Sequence, residues 1–211
     1  MMDYILLILI LLFLITFIVF YNNYLKNIKK KSHKGETGYD SASKVVKKYD
    51  IDSYIIEQRG SFNDNYNYNK KVIKLSSLVY HDDNIYSVAM GYFISMQAVL
   101  DKENNSLYKI KKFFEPLYYI LITLSYIGII LLAFSNLDVI YPIVFLSICL
   151  AYQIIFLKSN LDIINRIKKD FIKSNTNLTE AVESLYLLDM VFGVLYIKVL
   201  IDKLIELIKN R

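Results

Sequence analysis

The chain has 211 residues, 55% of them hydrophobic, with a formal net charge of +5 and a mean hydropathy of +0.34. That leaves room for one modest soluble domain plus several membrane segments. Its lysines cluster beside apolar runs and form no basic stripe interleaved with aromatics, which argues against nucleic acid as a partner, and the single cysteine, Cys149, excludes a disulfide framework or a Cys-based metal site within one chain.

Tyr4 to Tyr21 is an uninterrupted apolar run of spanning length at about 1.5 Å rise per residue. Only Met1, Met2 and Asp3 precede it, while Lys26, Lys29, Lys30, Lys31 and Lys34 follow. A secretory signal carries its charge first and ends in a small-residue cleavage site, so the pattern predicts an uncleaved anchor with the next segment in the cytoplasm.

Asn22 to Thr37 reads as a polar, Lys-rich connector. Gly38 to Ser41 then opens a helix, with Asp40 or Ser41 as N-cap and Ala42, Val45 and Val46 at helical spacing. Tyr54 to Ile56 reads as a short strand, Gly60 to Asn69 as a turn-rich polar loop and Lys71 to Leu75 as a second strand. The two strands are expected to pair as a hairpin.

Asp82 or Asp83 is expected to cap the next helix, whose apolar side is Ile85, Val88, Ala89, Tyr92, Met96 and Val99. This helix carries no charge between Asp83 and Asp101. An extra membrane span here would reverse the orientation of everything after it and spoil the charge pattern, so a helix outside the membrane with one apolar side is preferred.

Leu117 to Phe134 is a second apolar run. It follows Lys109, Lys111 and Lys112, with Pro116 just before it, where a helix start tolerates proline. Ser135 to Asp138 reads as a turn, Val139 to Leu157 as a third apolar run, and Lys158, Arg166, Lys168, Lys169 and Lys173 follow. Both ends of this hairpin are basic and its tip is not, which predicts the N-terminus outside, the central domain inside and the hairpin returning inward. Leu185 to Ile208 is apolar but holds Asp189, Lys198, Asp202, Lys203 and Glu206. Each mid-bilayer charge costs about 2.5–3.5 kcal/mol, which favours an amphipathic helix; a fourth span through Leu185 to Ile197 is the alternative.

Several matches in order and spacing give the chain a resemblance to a known family. Thr37 and Gly38 open the first helix. Phe62 to Tyr68 keeps the Asp and Tyr, without the His, of a Leu-Thr-Asp-His-Tyr-Asp-Pro-like loop, and Ile73 to Ser76 is similar to Leu-x-Leu-Ser. Val79 and Tyr80 match a Ser-Val-Tyr, and Ser95, Met96 and Gln97 stand where an Ala-Ile-Gln follows the motif helix. Together these resemble the YugP-type bacterial membrane zinc metallopeptidases, from about Gly38 onward.

The resemblance implies an α+β membrane protein, mostly helical. Its parts would be a transmembrane anchor (1–21), a basic connector (22–37), a cytoplasmic metallopeptidase-like domain with a short β-hairpin (38–115), a transmembrane hairpin (116–158) and a C-terminal helical region (159–211). It also implies where zinc sits in active relatives: a His-Glu-x-x-His on the uncharged helix and a Glu in a Glu-x-Asp after the hairpin. Here those positions are Met90, Gly91, Ile94 and Asn160, with Asp162 retained. A thioether is a soft ligand poorly matched to Zn²⁺, Ile94 offers no donor and Gly91 cannot take a proton from water.

The only histidines are His33, in the connector, and His81, beside Asp82 and Asp83 at a helix start. The resemblance therefore implies a multi-pass membrane protein without catalytic or metal-binding residues. Its partners would be the bilayer and a peptide, membrane segment or active relative. The alternatives are an active zinc peptidase with displaced ligands around His81, or a structural membrane protein of no peptidase ancestry.

Overall fold

The computed structural model describes residues 2–32, 35–60, 64–132, 138–172, 176–188 and 191. His33, the Phe62–Asn63 part of the resembling loop, the turn at 135–137 and nearly all of Leu185 to Ile208 lie outside these. In chain order the elements are α1 (Met2–Ile28), α2 (Gly38–Lys48), β1 (Tyr54–Gln58), β2 (Asn65–Asn67), β3 (Val72–Ser76), α3 (Ser77–His81), α4 (Ile85–Lys102), α5 (Ser106–Leu132), α6 (Ile140–Phe171) and α7 (Thr176–Ser184), then a 3₁₀ turn, Leu185–Leu187.

The chain divides into two compact units. One comprises residues 1–19, 111–156 and 187–211. Its core is Leu9 and Phe13 of α1, Tyr118 and Ile122 of α5, and Leu146 and Cys149 of α6. Gln153 donates to the Tyr118 hydroxyl at 2.6 Å, and Tyr118 stacks on Tyr152 with ring centroids 4.9 Å apart. The outward residues of these helices, among them Ile120, Leu124, Ile127 and Ile130 on α5, are exposed and apolar. Among the described residues, α1, α5 and α6 are long and apolar enough to cross a bilayer.

Two of these helices run past their expected ends. α5 begins at Ser106, so Pro116 lies inside it and not at its start. α6 is continuous for 32 residues, so Asn160 sits on the membrane-length helix itself and not on a separate one after it.

The other unit comprises residues 20–110 and 157–186. Its sheet has the order β1-β3-β2. β1 and β3 do pair, but in parallel (Tyr54 with Val72, Gln58 with Ser76), so the expected hairpin between them is not formed. The antiparallel partner of β3 is β2, which lies inside the stretch read as a loop. Parallel neighbours require a crossover; β1 ends and β2 begins at the C-terminal end of β3, and β2 then leads back into β3. Asp64 fixes that crossover by accepting from the Ser76 amide at 2.7 Å and the Ser76 hydroxyl at 3.1 Å.

The helix caps differ from expectation by a few residues. Thr37, and not Asp40 or Ser41, caps α2, in a reciprocal box with Asp40. Asn84, and not Asp82 or Asp83, caps α4, accepting from the Ser87 amide at 2.8 Å.

Candidate functional site

α4 is the centre of its unit. It packs on α2, α3, α7 and the sheet, and from Ile85 to Leu100 only Gln97 is not buried. A helix enclosed on all sides is apolar all round, which accounts physically for its lack of charge.

Its closest neighbour is α2. A Cβ on Gly91 would collide with the Gly38 carbonyl and the Ser41 hydroxyl, and one on Gly38 with the Val79 carbonyl. The serines at this crossing bond inward to backbone: Ser41 donates to the Gly38 carbonyl (2.8 Å), Ser87 to that of Leu78 (3.1 Å) and Ser95 to that of Gly91 (2.6 Å). Position 91 therefore serves the helix crossing, and a carboxylate there would point into α2. Whatever stands at position 91, no other His, Cys, Asp or Glu occurs from Asn84 to Leu100.

Met90 and Ile94 are buried, with relative exposures of 3% and 2%. Asn160 is also buried, and its side-chain amide donates to the Tyr186 carbonyl after α7 at 3.4 Å. α6 reaches α4 and its cap farther along than Asn160, where Phe171 meets the Tyr92 ring at 4.9 Å and Arg166 grips Glu103 with two bonds of 2.7 and 2.8 Å. Asp162 is half-buried.

The acidic stretch at His81 disperses. His81 lies 3.2 Å from Glu57, which also accepts from Ser77 at 2.5 Å; Asp82 accepts from Asn84, and Asp83 pairs with Lys31 at 3.6 Å. The Ser77 hydroxyl, then His81, holds the Glu57 carboxyl below the usual range. Among the described residues no three His, Cys, Asp or Glu side chains come together to hold a metal. A catalytic zinc site needs three such donors, and the described residues do not assemble them.

The two residues that keep the resembling loop have structural work. Burial pushes the Asp64 carboxyl up to about 6, against the opposing pull of its Ser76 hydrogen bonds. Tyr66 donates to Asp101 at 3.0 Å, and Lys71 reaches the same carboxylate at 2.5 Å. The burial of Asp64 had no local signal in sequence, whereas the Thr37-x-x-Asp40 capping box did.

A family model described as "Putative neutral zinc metallopeptidase" matches residues 2–197, nearly the whole chain, and the chain belongs to that family. No curated protein and no solved structure matches it.

Proposed function

We propose that this member of the zinc metallopeptidase family keeps the family fold without its reaction and acts by binding at the cell membrane. One observation carries the reading: the helix expected to bear the zinc motif has no His, Cys, Asp or Glu from Asn84 to Leu100. In support, the described residues bring no three potential ligands together, and the amide of Asn160 is engaged by the backbone after α7.

The role is regulatory or scaffolding, with a peptide, a membrane segment or an active relative as partner. The lysine-rich flanks of the apolar helices favour a multi-pass arrangement with the sheet-containing unit in the cytoplasm. Zinc analysis of the purified full chain tests the reading. Substoichiometric metal is expected. One zinc per chain, lost in Asn160→Ala or His81→Ala, would overturn it in favour of an active peptidase with displaced ligands.

A further inference from the structure

Among the described residues, the sheet has one guarded edge and one edge with no strand beside it. β2, at the first, is only three residues long. β1, at the other, has five residues, Tyr-Ile-Ile-Glu-Gln, with neither lysine nor proline. Proteins usually blunt such an edge by shortness, charge, proline or a bulge, because its free backbone groups template another strand.

The register identifies those groups. Tyr54 donates its amide to the Lys71 carbonyl at 3.2 Å, and it faces Val72 in a parallel ladder. Alternation along the strand then turns Tyr54, Ile56 and Gln58 toward β3, and leaves the amides and carbonyls of Ile55 and Glu57 on the free edge. Tyr54 and Ile56 project from the sheet face opposite buried Ile73 and Leu75, and are 73% and 42% exposed. The Gln58 side-chain oxygen, on their face, is buried with no hydrogen-bond partner among the described residues.

We propose that the free edge of β1 docks an extended basic peptide segment of a partner protein, which joins the sheet as a fourth strand through Ile55 and Glu57. Main-chain bonds would supply affinity and alternate side chains would supply selectivity, as in strand addition generally. Charge decides the occupant. Asp50 and Asp52, both exposed, precede the strand, and Glu57 lies within it. A second copy paired about Ile56 would set Glu57 diagonally against its own counterpart, which is unfavourable. A lysine- or arginine-bearing strand meets the same carboxylates favourably. The inference does not depend on the zinc reading.

The test uses the full chain in lipid nanodiscs, with the capped peptide Lys-Val-Lys-Val-Lys-Val as probe and backbone hydrogen exchange as readout. With peptide, exchange is expected to slow at the Ile55 and Glu57 amides. It should stay unchanged at Tyr54 and Ile56, which already bond β3. Ile55→Pro removes an outward donor that the β1–β3 ladder does not use, so it should abolish the slowing while Tyr54 and Ile56 stay protected. Ile56→Lys, on an exposed side chain, is a second variant expected to weaken binding without touching any ladder bond. The proposal is overturned by no slowing up to about 1 mM peptide, the weak end of specific binding. Equal slowing with Glu-Val-Glu-Val-Glu-Val, or peptide-free protection that rises with protein concentration and so marks a second copy as occupant, overturns it too.

Discussion

Gly38 and Gly91 bring the backbones of α2 and α4 together so closely that a methyl group on either would strike main-chain atoms of its neighbour. Because the obstacle at Gly91 is the Gly38 carbonyl and not the end of a flexible side chain, relief requires one helix to move. Overpacking of a core usually costs about 1–3 kcal/mol, and Gly91→Ala should reach or exceed the top of that range, even though alanine is the better helix former by about 1 kcal/mol. Urea unfolding of the purified chain checks this. Unchanged or raised stability in Gly91→Ala would mean that the helices are farther apart than described. Gly91→Glu, which puts a carboxylate at this crossing, should fail to fold rather than gain activity.

Asp64 gives the sheet crossover a pH dependence of definite sign. Its carboxyl titrates near 3.8 in an unfolded chain and at about 6 when folded. Between these values the folded protein holds a proton that the unfolded chain releases. Its contribution is therefore complete below about pH 4 and is lost as pH rises through about 6. The gap corresponds to about 3 kcal/mol. Asp64→Asn keeps an acceptor for the Ser76 amide and cannot ionise. Denaturation from pH 4 to 8 should show the variant gaining on the parent by up to that amount. A stability difference flat across this range would contradict the buried, weakly acidic Asp64.

The cap of α2 offers a smaller and cleaner effect. The Thr37 hydroxyl accepts from the Asp40 amide at 3.2 Å, and the Asp40 carboxylate accepts from the Thr37 amide at 2.9 Å. Thr37→Ala should destabilise by about 1 kcal/mol and Asp40→Ala similarly, with the double variant costing less than their sum because the bonds are reciprocal. Strict additivity in thermal unfolding would argue against the box.

Much of this fold was legible because it rests on periodicity. The three long apolar runs, the strands β1 and β3, and the apolar residues of α4 follow from the pattern of apolar residues alone. Partner choice did not. Tyr54 to Ile56 and Lys71 to Leu75 look the same whether they pair in parallel or antiparallel, and only the short β2, hidden among Asn, Tyr and Asp, decides it. Pro116 read as a helix start because sequence shows its missing N–H but not that the preceding turns continue the helix. The lack of His, Cys, Asp and Glu between Asn84 and Leu100 was legible at once, since it needs only an inventory of side chains. The work of Gly91 was not, because a glycine reads alike as a lost catalytic residue and as a close helix contact.

Asp101, the first charge after the apolar face of α4, separates two kinds of polar contact. Its side chain is 8% exposed and receives both the Tyr66 hydroxyl and the Lys71 ammonium, the latter on a side chain 55% exposed. Exposed ion pairs are weak and screened by salt, whereas a hydrogen bond to a shielded carboxylate contributes about 1.5–3 kcal/mol. Asp101→Ala should therefore cost about 2 kcal/mol, most of it coupled to Tyr66. In double-mutant cycles Tyr66→Phe should show the larger coupling with Asp101, and it should persist in 1 M salt. The coupling to Lys71→Ala should stay below about 1 kcal/mol and fade in the same salt. The reverse order would place the energy of this contact in the ion pair with Lys71 and not in the hydrogen bond from Tyr66 of β2.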